Sequence, residues 1–274
     1  MSVTWHSKDL PAAKRITAAG WLRVAFRGSI LACMILTGLI FLLLIRVPER
    51  PLHRLSRPWS PHVVRLFSRL VFVVLGMRYR VVGQPMAGPG AMVSNHASWL
   101  DIFVLNARAC VTFVSKAEVA RWPGIGFLAR ITGTLFIHRA GRQAGEQRGL
   151  LEDHLRAGHR LVFFPEGTST DGLRVLPFKS TLFAALFTSG LPHDTAVQPV
   201  TVRYIAPAGE DPRFYGWWGD MGFGAHLLKL LAQAPQGGVE VTYHAAIPVS
   251  GVADRKALAR ASEAAVRGGR GPRP

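Results

Sequence analysis

The sequence predicts an α/β domain, a mixed and mainly parallel sheet covered by helices, behind an N-terminal helical membrane anchor. Two observations carry this reading. From Gly83 onward, short apolar runs rich in Val, Ile, Leu and Phe alternate with longer helical stretches, the texture of a sheet with crossover helices. Ahead of that point, Gly28 to Ile45 contains no charged residue. At about 1.5 Å per residue, such a run approaches a hydrocarbon core of about 30 Å.

The anchor is expected to occupy residues 1–82. A second apolar helix is expected over 62–80, with Arg65 and Arg69 four residues apart on one face, and Pro48, Pro51, Pro58 and Pro61 mark the bend between the two. Together the two segments can span once or dip as a hairpin into one leaflet. The catalytic domain is expected over 83–267 and a disordered tail over 268–274. Strands are expected at 79–82, 91–94, 111–115, 134–138, 160–164, 197–204 and 239–244. Helices are expected at 99–107, 124–131, 143–157, 178–189, 222–233 and 254–267.

Composition narrows the partners. The formal net charge is +17, the isoelectric point about 11.3 and the mean hydropathy +0.21. Such a balance calls for an anionic partner. Arg23 and Arg27 precede the apolar run and Arg46, Arg50, Arg54 and Arg57 follow it, a frame suited to anionic membrane lipid rather than nucleic acid. Cys33 and Cys110 are expected as buried thiols in a reducing compartment. The histidines lack ligand spacing, so no metal is expected. Histidines 53, 62, 138, 154, 159, 193, 226 and 244 are assigned to surface or packing, and Trp217 and Trp218 to packing or an interfacial anchor.

Two motifs carry chemistry. In Ser94-Asn95-His96-Ala97-Ser98-Trp99-Leu100-Asp101, an apolar strand delivers His96 to its end and Asp101 falls in the first turn of the next helix. A histidine with a carboxylate on its far nitrogen is a proton acceptor of fixed tautomer. The pair is two thirds of a serine-hydrolase triad, and a substrate hydroxyl can supply the remaining third. In Phe164-Pro165-Glu166-Gly167-Thr168, a glycine turn at a strand end can offer backbone N–H groups to an oxyanion, and Glu166 can hold a hydroxyl or an ammonium.

Together N-H-x-x-x-x-D and F-P-E-G-T resemble the glycerolipid acyltransferase family, which includes 1-acylglycerol-3-phosphate acyltransferases. Gly133 to Arg139 resembles its G-x-x-F-I-x-R acceptor block, and Val197-Gln198-Pro199-Val200 its fourth block. The resemblance covers roughly residues 75–205. It implies that His96, oriented by Asp101, deprotonates an acceptor hydroxyl for direct attack on an acyl thioester. It also implies that Arg139, Glu166, Gly167 and Thr168 hold a lysolipid acceptor, and that acyl carrier protein or CoA thioesters donate. No cofactor is implied, and the cytoplasmic face of the inner membrane is the expected location. Family members acting on a phosphate headgroup usually follow F-P-E-G-T with Arg-Ser, where this chain has Ser169-Thr170-Asp171-Gly172. The usual F-K-x-G here reads Phe178-Lys179-Ser180-Thr181. The stretch is more similar to lyso-ornithine-lipid acyltransferases. Asp171 is expected to favour an ornithine ammonium, and Arg174 to compensate in part for the missing arginine. A lipid hydrolase using Ser94 or Ser98 lacks its G-x-S-x-G elbow, and a non-enzymatic adaptor leaves four ordered blocks unexplained.

Overall fold

The structure, a computed structural model, describes residues 4–7, 10–11, 14–53, 55–137 and 144–271, without the side chains of 144–147. Eight strands form one sheet: β1 (Arg78–Val82), β2 (Gly90–Ser94), β3 (Thr112–Lys116), β4 (Leu135–Ile137), β5 (Arg160–Phe163), β6 (Ala196–Ile205), β7 (Gly238–Tyr243) and β8 (Ile247–Pro248). Their order is β1-β7-β6-β2-β5-β3-β4, with β8 on β6. Strands β2 to β6 run parallel to one another, while β7 and β8 run antiparallel to β6. The expected mixed, mainly parallel sheet is what forms.

Helices cover both faces because β2 and β5 have no solvent side. Ala91, Met92, Val93, Leu161, Val162 and Phe163 are all buried, as parallel strands between two helical layers require. Met92 and Val162 pack with α2 (Ser60–Leu75), α3 (Asp101–Asn106) and α6 (Phe223–Ala232). Ala91, Val93, Leu161 and Phe163 pack with α5 (Ala144–Arg156), α7 (Arg255–Gly268) and a 3-10 turn at Leu182–Phe187. The alternation of neighbours along each strand separates the two cores. At the start of β2, a Cβ on Gly90 would lie 1.9 Å from the Ala196 carbonyl oxygen, so this strand meets β6 only through glycine.

Helix α1 (Ala18–His53) is long and apolar enough to cross a membrane by length and composition. Its outer side chains, Leu22, Phe26, Leu36, Phe41 and Leu44, are exposed, as are Leu66 and Val73 of α2. A contiguous apolar surface of this kind marks a lipid-facing layer.

The structure departs from expectation in several places. Helix α2 stops at Leu75, where Gly76 takes a left-handed cap, and β1 begins at Arg78. β1 matches the strand expected at 79–82 and pairs with β7 from Arg78↔Gly238, so that strand is part of the sheet although it lies within the segment assigned to the anchor. The helix expected over 178–189 is only the short 3-10 turn. The chain is helical through Gly268, and Arg270 donates to the carbonyls of Gly172 and Arg174, so the tail is docked there; residues 272–274 lie outside the described residues. Cys33 is exposed on α1 rather than buried; Trp218, by contrast, takes the packing role that was one of its two expected ones.

Four of the flanking arginines also have partners beyond their expected headgroup role, while Arg50 stays exposed and Arg54 lies outside the described residues. Arg23 Nε donates to the Ala232 carbonyl at 2.9 Å, and Arg27 to those of Leu231 and Gln233 at 2.9 and 2.7 Å, all at the C-terminus of α6. At the other end, Arg46 donates to the Ile131 carbonyl and Arg57 to that of Thr132 at 3.1 Å, in the last turn of α4 (Ile125–Thr132). Helix C-termini leave unpaired carbonyls and a negative dipole end, which cations satisfy. Both ends of α1 are therefore tied to the catalytic domain, and the helix lies along it.

Candidate active site

The parallel strands bring two sequence-distant turns to one sheet edge. Strand β2 ends at Ser94 and its neighbour β5 at Phe163, both with their C-terminal ends on the same side. Asn95 fixes the first turn. Its amide donates to the Val202 carbonyl and its carbonyl accepts from the Val202 N–H, each at 2.9 Å. The side chain thus imitates one more ladder step onto β6 after Ser94↔Val200.

His96 follows, partly exposed, with its ring stacked on Phe164 at 4.1 Å between centroids. Its Nδ1 lies 2.7 Å from Asp101 Oδ2. The same oxygen accepts from the N–H groups of Ala97 and Ser98 at 2.8 and 3.0 Å. Asp101 Oδ1 accepts from the Tyr204 hydroxyl at 2.6 Å. Asp101 is fully buried, and an acceptor-only carboxylate there needs these donors. With Nδ1 so engaged, the Nε2 edge is the one left to meet a substrate proton.

Tyr204 is a residue that the motif reading missed. Burial pushes its hydroxyl well above its ordinary range, and the charge and hydrogen bond of Asp101 push the same way, so it stays a donor. Its position on β6 beyond the fourth block, on the strand paired with β2, is the only signal the sequence held.

The second turn locks onto the first. Thr170 N–H donates to the His96 carbonyl at 2.9 Å and Trp217 N–H to that of Ala97 at 2.8 Å. Glu166, expected to face the acceptor, is 1% exposed. Its Oε1 accepts from the His96 N–H at 2.7 Å and its Oε2 from the Leu176 N–H at 2.8 Å. Burial pushes its carboxyl up to about 8 against the pull of those two N–H groups. The Gly167 N–H, expected to face an oxyanion, turns back onto the Phe164 carbonyl at 3.0 Å. Thr168 Oγ1 accepts from the Trp5 N–H at 3.2 Å. Arg139 lies outside the described residues.

Asp171 is 2% exposed and forms a two-point pair with Arg174, 2.9 Å at the closer contact. Arg174 also lies 4.8 Å over the Trp5 ring. Neither is a free charge, so the Asp171 expected to favour an ornithine ammonium is already paired, and the Arg174 expected to compensate is already engaged. Ser94 and Ser98 are both buried, unlike an exposed hydrolase nucleophile.

A family model described as acyltransferase matches residues 78–203. The lyso-ornithine lipid O-acyltransferase of Rhodobacter capsulatus is 54% identical over 269 residues, covering 98% of each chain. The chain belongs to the acyltransferase family. The 1-acyl-sn-glycerol-3-phosphate acyltransferase of Neisseria gonorrhoeae is 38% identical over 121 residues, 43% of this chain and 46% of its own. The crystal structure of the 1-acyl-sn-glycerophosphate acyltransferase PlsC from Thermotoga maritima has the same fold, with a TM-score of 0.63 at 21% identity over 91% of this chain and 95% of that one. The enzyme is an acyltransferase, and its His96 and Glu166 turns lie side by side at the C-terminal ends of β2 and β5.

Proposed function

We propose that this acyltransferase esterifies the free hydroxyl of lyso-ornithine lipid at a membrane surface, with His96 as general base and Asp101 as its orienting partner. The observation that carries the chemistry is the 2.7 Å contact between His96 Nδ1 and a buried, fully bonded Asp101. The acceptor rests on likeness along nearly the whole chain to the Rhodobacter enzyme, against likeness over less than half of it to the glycerophosphate enzyme.

His96 Nε2 takes the proton of the acceptor hydroxyl as its oxygen attacks the thioester carbonyl. The C–O bond forms, the tetrahedral oxyanion collapses and the C–S bond breaks. The leaving thiolate, of ordinary pKa about 8.5, takes the proton back from the imidazolium. Asp101 stabilises that imidazolium. Glu166 acts as a positioning residue, holding the His96 backbone, and Arg139 with Thr168 remains the proposed acceptor contact.

Attachment follows from α1 and α2. With both ends of α1 on the catalytic domain, its apolar face lies along one leaflet at the cytoplasmic surface of the inner membrane, where acyl carrier protein and CoA thioesters are made. The test assays purified enzyme in mixed micelles with acyl carrier protein and CoA donors against lyso-ornithine lipid and 1-acyl-sn-glycerol-3-phosphate. A kcat/KM at least tenfold higher for lyso-ornithine lipid is expected. Equal or reversed preference would overturn the acceptor assignment while leaving the acyl transfer chemistry intact.

A further inference from the structure

A second ligand site lies away from the catalytic edge. Helix α4 runs back from β3 to the start of β4, so its C-terminus is at the opposite sheet edge from His96. The turn between α1 and α2 is there too, since His159, just ahead of β5, bonds the Leu55 carbonyl. Between the ends of α1 and α4 opens a groove of about 520 Å³, within the range of small-ligand sites.

Its chemistry is divided. Leu43 and Val47 are one turn apart on α1 and face Phe127 of α4; Arg46 and Arg50 follow the same one-turn step, and Arg130 of α4 joins them. Arg46 is spent partly on the Ile131 carbonyl. Arg50 and Arg130 are exposed, and no ion pair joins either to a carboxylate among the described residues. The nearby Glu49 is buried, its Oε1 accepting the N–H groups of Trp59 and Ser60 at 2.8 and 2.9 Å, and it forms no ion pair with Arg50 or Arg130 among the described residues. Three cations therefore converge beside apolar side chains that are themselves exposed: Leu43 at 53%, Val47 at 74% and Phe127 at 51%.

We propose that this groove binds one anionic phospholipid, the arginines holding its phosphate and the apolar wall its first methylenes. Arginine forks match phosphate oxygens with two parallel hydrogen bonds. The wall is continuous with the exposed apolar face of α1, which commits the site to a membrane lipid rather than to an acidic carrier protein, for which Val47 and Phe127 would have no use. The proposal rests on the one-leaflet attachment described above and adds a specific site to it.

The test uses the full-length enzyme in neutral detergent, titrated with phosphatidylglycerol or phosphatidylcholine and read by native mass spectrometry. Wild type is expected to retain phosphatidylglycerol, and Arg50→Gln with Arg130→Gln to lose that preference about tenfold or more. Arg50→Lys with Arg130→Lys should keep part of it. Activity on micellar acceptor should change little in either variant, which separates failure of this site from failure of the catalytic reading. Inorganic phosphate alone should not displace the lipid, because the methylene contacts are lost. Unchanged phosphatidylglycerol retention in the Gln variant would overturn the proposal, as would loss of acyl carrier protein binding in its place.

Discussion

Two strand-end turns meet at the catalytic edge, and each buries a carboxylate for a different purpose. In the turn after β2, Asp101 faces four donors, one of them the reacting imidazole. In the turn after β5, Glu166 faces two backbone N–H groups, one of which belongs to His96 itself. One acid therefore acts on the ring of His96 and the other on its backbone. The comparison teaches that proximity to a catalytic residue does not make a carboxylate part of the proton path; the atom it bonds decides.

The largest effects should come from the first turn. His96→Ala should lower kcat about a thousandfold or more, since the proton acceptor is gone, while sedimentation with vesicles is retained. Asp101→Asn is the sharper probe. Its amide oxygen can occupy the Oδ2 position and still accept from Nδ1, Ala97 and Ser98, with the amide nitrogen toward the Tyr204 oxygen. The three bonds to the Oδ2 position then survive, the charge is lost, and the Tyr204 hydroxyl loses its acceptor. A fall in kcat of about a hundredfold to ten-thousandfold is expected, with a loss of stability of about 1–3 kcal/mol from the unpaired Tyr204 hydroxyl. A loss below tenfold would mean that Asp101 merely orients the ring.

Tyr204→Phe breaks the comparison from the far side. It strips one donor from Asp101 and leaves Oδ1 buried with one partner fewer, a cost of about 1–3 kcal/mol. About a tenfold fall in kcat is expected, with KM for both substrates unchanged. If KM rises while kcat holds, Tyr204 belongs to substrate binding instead.

These three residues also show what the sequence could reveal. His96 and Asp101 were legible because strand, turn and first helical turn are local, and five residues suffice to close the pair. Tyr204 is 103 residues from Asp101, and only the pairing of β6 with β2 brings it there. Glu166 was visible as part of a motif, but its inward aim depends on where the Leu176 and His96 N–H groups fall, which spacing does not encode. The arginines around the apolar run misled for a similar reason. Their charge suited lipid headgroups, yet the C-termini of α4 and α6 offered backbone carbonyls that engage Arg23, Arg27, Arg46 and Arg57. The central strands were readable because β2 and β5 are buried on both faces and register as unbroken apolar runs, whereas the two-residue β8 went unforeseen.

The smallest effect, and the one that isolates the second turn, is the pH dependence of stability. Glu166 is raised from 4.5 to about 8, chiefly by burial. Between those values the folded state holds a proton that the unfolded state has released, so unfolding free energy declines as pH rises. Its contribution is full below pH 4.5 and is lost as pH passes through about 8. Against this, each oxygen accepts an N–H, an arrangement that fits the ionised form and limits the shift. Glu166→Gln removes the titration while keeping one acceptor oxygen, so kcat should fall only a few-fold as one N–H goes unpaired. The melting temperature of the wild type should therefore decline more steeply than that of Glu166→Gln between pH 5 and pH 8, in the same detergent and at constant ionic strength. Parallel curves would mean that the two N–H groups outweigh burial and that Glu166 is ionised throughout. A loss of kcat as large as that of Asp101→Asn would place Glu166 in the proton path and dissolve the distinction between the two turns.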